Sequence, residues 1–564
     1  MAYQKTTWVN DQAPAINASN LNKMEQGIAD AETTVTQTET NTSGYDSYEF
    51  LFSGSADSTT HTEGVKKSER MSVNFKPDVG DNGINLEIKG SQGNDILRFS
   101  DDEEEENPTL TIGGGGRQGS LQLFSEGEEF AGYGELKVAP IEEFESREYT
   151  LPNKSGTIAM LDDIENAVNT KVYGFRIDGS ESDPSDMVSY IMDAGGKTPA
   201  HMNYSTDKFD YGSWQDAFFM PRPCILSQSG TVMKYLDPND FTKDVNGNTV
   251  AIDSGLTGAN VMIEFPKIWC KVVPDAGDDK SGSVYISNKK VDDGYKDYAY
   301  IDYQGIHKEH FYMPAYNGSL VDGVLRSISG AQVMKTKNAS QEVGYAQANG
   351  NGWYTEDVGE ITLINFLLIL MGKSVDTQTV FGQGLHTGGS EAINDGFRTG
   401  VHNTKGMFYG TNSGTVSSGS YGNVVKVFGI ENYWGFQWRR YAGDINASGT
   451  RKIKMCWGTE DGSTTSSFNY DGSGYVDVGA TPSGTLGGYI SQMKFTANGM
   501  FSKVSSGSAS TYYCDGQWFN NGQTDYALRG GRSDFGSLVG AFCVDLARTA
   551  SGAWWYFGAA PSFK

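Results

Sequence analysis

The stretch Asp525-Tyr526-Ala527-Leu528-Arg529-Gly530-Gly531-Arg532-Ser533-Asp534-Phe535-Gly536 decides how this chain is read. Tyr-Ala-Leu-Arg is strand-like, and Gly530-Gly531 stops it. Polar and aromatic residues then alternate with small ones as far as Trp554-Trp555-Tyr556-Phe557-Gly558. Thirteen of the 64 residues from Phe501 to Lys564 are aromatic, about a fifth, against 12% for the whole chain. Some belong to a core, but many sit beside Gly, Ser, Asp and Asn, where loops are expected. Loops of Tyr, Trp, Ser, Gly and Asn make recognition surfaces, because rigid rings give contact area at low entropic cost. Working outward, the rest of the chain reads as a support that holds this surface against something large.

At 564 residues the chain is too long for one core, and about three to four domains are expected. Its 70 acidic and 44 basic residues give a net charge of −26, which argues against nucleic acid as a partner. Five cysteines (Cys224, Cys270, Cys456, Cys514, Cys543) never form a C-x-x-C pair, so buried free thiols are expected rather than a disulfide framework or zinc ribbon. No signal peptide opens the sequence. The longest apolar run, Ile361 to Met371, is too short to span a bilayer and reads as a helix enclosed by protein. Asp244-Val245-Asn246-Gly247-Asn248 starts like a calcium loop, but its Gly is one position early and no bidentate Glu follows, so a plain turn is expected. No cofactor and no metal are expected.

Leu21, Met24, Ile28, Ala31 and Val35 stand at spacings of 3, 4, 3 and 4, an a/d stripe under three heptads long, and Asn17 is placed to cap its helix. The preferred reading is a short parallel bundle of three chains, and the alternative is one helix docked on another protein. From 44 to 160 short alternating stretches such as Ile84-Asn85-Leu86-Glu87-Ile88, Leu110-Thr111-Ile112 and Leu121-Gln122-Leu123-Phe124 are separated by Gly, Asn and acidic turns. Residues 45–160 hold 23 acidic and 10 basic side chains, net −13, half the charge of the chain. Strands so short and poor in apolar residues are expected to close a core only by winding three chains together. Pro152 and Gly156 then punctuate Leu151-Pro152-Asn153-Lys154-Ser155-Gly156-Thr157-Ile158-Ala159, and a brief helix carrying Ile164 and Val168 is expected to form a neck. Past Tyr173 the composition is that of a globular domain. Gly230 to Asp240 reads as strand, turn and strand, Val261 to Val273 as a buried strand broken at Pro266, and Leu325 to Gly330 as a strand with its turn.

Three phrases carry resemblances. Trp8-Val9-Asn10-Asp11 with Ile16-Asn17-Ala18-Ser19-Asn20-Leu21-Asn22-Lys23-Met24-Glu25-Gln26-Gly27-Ile28 resembles the attachment segment of tail-fibre and baseplate proteins from phages of Gram-positive bacteria. It implies that this end anchors to phage tail or baseplate proteins. The Leu151–Ala159 phrase resembles one that closes β-structured shafts in phage tail fibres. Phe428-Gly429-Ile430-Glu431-Asn432-Tyr433-Trp434-Gly435-Phe436-Gln437-Trp438 and Leu528-Arg529-Gly530-Gly531 resemble the C-type-lectin-like fold, in the branch shared by formylglycine-generating enzymes and phage tropism determinants.

These resemblances imply a phage tail receptor-binding protein, multidomain and mainly β. Its expected parts are an N-terminal attachment segment and trimeric coiled coil (1–43), an acidic β-rich intertwined shaft (44–160), a short neck helix (161–172) and an α+β lectin-like tip (173–564). The implied binding face comprises Tyr512, Tyr513, Asp515, Gln517, Trp518, Asn520, Asn521, Arg532, Asp534, Phe535, Ser537, Leu538, Arg548, Thr549, Trp554, Trp555 and Tyr556. Expected partners are two further copies of the chain, tail or baseplate proteins, and a host cell-surface glycan or protein, with no membrane insertion. The expected place is the virion, reached by synthesis in the host cytoplasm and lysis.

Two enzyme classes are alternatives. A formylglycine-type enzyme needs two cysteines at a groove, and Cys456, Cys514 and Cys543 stand in no such local arrangement. A polysaccharide-degrading enzyme needs paired carboxylates, which 70 acidic residues supply by chance. A purely structural fibre is the third option. His307 and His310, near Glu309, read as solvated surface rather than a metal pair, and Trp434 and Trp438 read as core.

Overall fold

The computed structural model describes residues 170–388, 395–416, 421–482 and 487–564, together with the backbone of eight strands between 35 and 137. Two compact units divide at Thr157/Ile158. In the first, Val35–Thr42, Tyr45–Phe52, Met71–Pro77, Ile84–Lys89, Asp95–Ser100 and Thr109–Ile112 form one antiparallel meander in chain order, and Ser120–Phe124 pairs with Tyr133–Lys137. Leu21, Met24, Ile28 and Ala31 lie outside the described residues. Val35 opens a strand, so the helical stripe does not extend to it. Val172 likewise begins the strand Val172–Ile177, where the neck helix was expected to run to 172, because its neighbours Tyr173 to Ile177 pair on both sides in a sheet.

The second unit contains helices α1 (Ala339–Gln347), α2 (Val358–Gly372) and α3 (Thr377–Phe381). α2 holds the expected apolar run, and all of its residues but Thr362 are buried. A helix without a polar face has to be walled in on every side. Its ends still need partners, since the first N–H and last C=O groups of a helix have none within it. At the start, Asp357 Oδ1 accepts the N–H groups of Gly359 and Glu360 at 3.1 Å, and the Glu360 carboxylate accepts the Asp357 N–H at 2.9 Å. At the end, Tyr190 donates to the Leu370 carbonyl and the Ala200 N–H to that of Met371, both at 2.7 Å. Lys373 closes the helix in the left-handed conformation, φ 50°.

Residues of three antiparallel-rich sheets share one hydrophobic core with α2. A four-stranded sheet runs Val188–Met192, Val172–Ile177, Asp278–Ser287, Trp269–Asp275. A seven-stranded sheet is centred on Arg222–Ser227, Ala259–Pro266 and His310–Pro314 and ends in Pro561–Phe563 and Trp353–Thr355. The largest sheet includes Trp438–Ala447, Thr524–Arg529, Val544–Leu546, Gly516–Phe519 and Gly487–Thr496. It contains two parallel pairings, Trp438–Arg439 with Phe557–Gly558 and Gly516–Phe519 with Val544–Leu546. The stretch from Val261 to Val273, read as broken at Pro266, is two strands in different sheets, separated after that residue, which has no N–H to continue a ladder. Trp434 and Trp438 are buried as expected.

Thr524–Arg529 is a central strand buried on both faces from Asp525 onward. Its last residue is a charged anchor. Arg529 Nη2 lies 2.6 Å from Glu356 Oε1, its Nη1 donates to the Tyr433 carbonyl at 2.8 Å, and Arg439 Nη1 is 3.4 Å from the same Glu356 oxygen. Burial, reinforced by the Arg529 charge, pushes the Arg439 guanidinium down to about 10. One residue on, Asp357 Oδ2 receives the Lys564 ammonium from the last strand.

Two stability outcomes follow from this packing. Leu367→Ala is expected to cost about 2–5 kcal/mol in urea unfolding, because the cavity is enclosed on all sides, while exposed Met233→Ala stays within about 0.5 kcal/mol. Glu356→Gln leaves two buried guanidinium groups uncompensated and is expected to cost about 3–5 kcal/mol in the same assay.

Candidate functional site

Gly530 and Gly531 both adopt left-handed φ, 83° and 82°, immediately after the Arg529 anchor. A Cβ on Gly531 would sit 2.6 Å from Val539 Cγ1, so this turn requires glycine. It turns the chain out of the sheet and delivers Arg532, Asp534 and Phe535 to the surface. Arg532 Nε lies 2.5 Å from Asp534 Oδ1, and its guanidinium stacks over Tyr556 at 3.9 Å and Phe535 at 4.8 Å. Trp555 closes the far side, 5.7 Å from the same group.

The neighbouring strand adds Trp518. Its ring meets Phe535 edge-on at 5.0 Å and buried Trp438 at 5.7 Å. Gly487 lies against the indole, where a Cβ would approach Nε1 to 1.8 Å. Trp554, 42% exposed, stacks on Tyr556 with ring centres 6.4 Å apart and lies 6.0 Å from the Arg548 guanidinium. Thr549 and Ser551 share a hydrogen bond in the same loop. Ser537 bonds the Tyr489 hydroxyl at 2.6 Å, and Leu538 lies beside the position where a Gly516 Cβ would be. Three chain segments therefore meet in one aromatic and cationic face.

Other expected members of the face are elsewhere. Tyr513, Asp515 and Gln517 are interior. Tyr513 packs on Phe542, Asp515 accepts the Phe542 N–H at 2.8 Å, and Gln517 donates to Ser505 Oγ at 2.7 Å. Their polar, glycine-rich context reads as loop, but Gly516–Phe519 is hydrogen-bonded on both sides, which buries that segment. Burial raises the Asp515 carboxyl well above its usual range. Asn520 and Asn521 fasten turns: Asn446 donates to the Asn520 carbonyl, and Asn521 bonds Thr481 and Pro482. Tyr512 is half-buried with φ 59° and donates its N–H to Ser182.

His307 is not paired with His310. Its Nδ1 is 2.7 Å from Asp297 Oδ2 and its Nε2 is 2.8 Å from Glu460 Oε1, with Lys267 Nζ 2.5 Å from the same Asp297 oxygen. Each ring nitrogen faces a different carboxylate, which suits a doubly protonated imidazolium better than a ligand. Burial lowers the imidazole pKa, but the bonds to Asp297 and Glu460 outweigh it and raise it overall. His310 faces Glu264 at 3.9 Å. Asp244 accepts the Asn246 and Asn248 N–H groups in a plain turn. Four of the five cysteines are buried and none is in a disulfide, and burial pushes each thiol up, Cys270 to about 12. No thiol is prepared as a nucleophile.

A second concavity went unread in the sequence. A cavity of about 350 Å³ opens between Tyr303, Tyr354 and Trp457, with Asp357 and Lys564 among its lining residues. The signal was there: Asn351-Gly352-Trp353-Tyr354 and Trp457-Gly458 have the same aromatic-beside-glycine pattern as the C-terminal loops. No protein-family model matches the chain, and no curated protein matches it.

Beneath the cavity Glu360 carries the clearest pH signature. Burial and then the Asp357 charge push its carboxyl up to about 8 from 4.5. A carboxyl raised on folding adds stability in full below its unfolded value and loses it as pH rises through the folded one. Melting temperature is therefore expected to fall between about pH 5 and 8. Glu360→Gln, which keeps an acceptor for the Asp357 N–H, should flatten that slope in a calorimetric pH series.

Proposed function

We propose that the chain is a receptor-binding protein of a phage tail that attaches the particle to a host-surface glycan or protein. The observation that carries this reading is the convergence of Trp518, Arg532, Phe535, Trp554, Trp555 and Tyr556 on one partly exposed face. Rings stacked on one guanidinium are held in fixed positions, so little freedom is lost when a ligand lands on them. Such a face binds; it supplies no paired carboxylate or activated nucleophile. The lectin-like resemblance of Phe428–Trp438 and Leu528–Gly531 supports placing the binding face in these C-terminal loops. Anchoring through the N-terminal segment and assembly as a trimer belong to the same proposal, since several tips on one particle turn weak contacts into firm attachment.

Labelled full-length protein is expected to bind cells of at least one strain in a panel of Gram-positive hosts. Trp554→Ala with Trp555→Ala, at unchanged melting temperature, should weaken that binding by roughly 30-fold or more, corresponding to about 2 kcal/mol for a central aromatic anchor. Undiminished binding by the double variant would move the receptor site off this face. Light scattering should give three times the 61.3 kDa chain mass, and a monomer would overturn the trimeric arrangement.

A further inference from the structure

We propose that the cavity beside Trp457 binds one pyranose ring of a saccharide, at a site separate from the Trp518–Trp554 face. The proposal rests on the receptor-binding reading for where such a sugar is met, but not for the site itself. At about 350 Å³ the cavity is at the small end of ligand sites and suits one or two sugar rings.

Its chemistry selects the ligand class. A pyranose has apolar C–H faces and a rim of hydroxyls, so it needs a flat aromatic wall with donors and acceptors around it. Trp457 meets Tyr354 edge-on at 5.1 Å and Phe468 at 4.8 Å, which fixes the wall before any ligand arrives. Tyr303, 45% exposed, stands at the opening. Around these rings are the exposed amides of Gln347 and Asn351 and the Ser467 hydroxyl, whose side chains make no hydrogen bond to any described residue. An amide offers both donors and acceptors, as vicinal hydroxyls require. Gly350 and Gly352 are in left-handed conformations, so this part of the wall is bare backbone. A side chain on Gly352 would start 2.6 Å from the Phe563 ring.

Other ligands fit less well. Among the described residues lining the cavity the Lys564 ammonium is the only cation, and Asp357 already holds it, so a phosphate or carboxylate finds no free charge. A purely apolar ligand would strand the amide rim from water.

Saturation-transfer NMR on the full chain, with glucose, galactose, N-acetylglucosamine and N-acetylgalactosamine offered separately at millimolar concentration, tests the site. Transfer to at least one sugar is expected, strongest at its ring C–H protons. It should disappear in Trp457→Ala and persist in Met233→Ala, an exposed side chain outside both the cavity and the aromatic face. No transfer to any of the four sugars, or transfer that survives Trp457→Ala, overturns the proposal. Should Trp457→Ala fail to fold, Gln347→Ala with Asn351→Ala decides, because both side chains are exposed, and undiminished transfer in that variant overturns it equally. Failure of cell attachment leaves this result standing, and failure of sugar transfer leaves the attachment assay standing.

Discussion

A helix that is apolar all round imposes the main constraint on this protein. α2 has no face to give to water, so it lies in a core shared with three sheets, and its N-terminus must be satisfied in the interior. Consecutive acids do that. Glu356 holds Arg529 and Arg439 from the largest sheet. Asp357 caps the helix with one carboxylate oxygen and receives Lys564 with the other. Segments distant in the chain are thus tied to one helical turn. A buried ion pair of this kind adds little net energy over an apolar pair, but leaving it half-made is costly, so it specifies which strands meet the helix.

The aromatic face depends on that anchor. Arg529 ends a strand whose position is set by Glu356, and the two left-handed glycines that follow leave one route out of the sheet. Arg532 emerges on that route and gathers Phe535, Tyr556 and Trp555 around its guanidinium. Glycines also make room for the rings themselves, with Gly487 under Trp518 and Gly552 under Trp554. A surface of large rings on such a scaffold is rigid because each ring rests on backbone or on another ring, not because the loops are regular.

The same helix turn underlies the cavity beside Trp457. Asp357 and Lys564 belong to both the fold and the cavity lining, which couples the stability of the domain to whatever occupies the space above them. The polar groups around that cavity and the stacked cation of the C-terminal face are different chemistries, one suited to a hydroxylated ring and the other to a broader contact.

Local pattern alone was enough for several elements. The apolar run from Ile361 to Met371, interrupted only by Thr362 and Asn365, predicts α2, Pro266 predicts the break between two strands, glycine spacing predicts the turn after Arg529, and the tryptophans of Phe428–Trp438 read as core. Composition also singled out the C-terminal aromatics that meet on one face. What the sequence left open was which polar residues beside them are exposed. Tyr513, Asp515 and Gln517 look like loop residues, yet they are buried because strands from elsewhere in the chain pair on both sides of Gly516–Phe519. His307 reads as surface and is exposed, but nothing local in the sequence shows that the carboxylates of Asp297 and Glu460 face its two ring nitrogens. The cavity joins residues from 303 to 564. Turn and helix signals are local and written in adjacent residues, whereas burial and pocket shape are sums over distant segments, and those only tertiary packing decides.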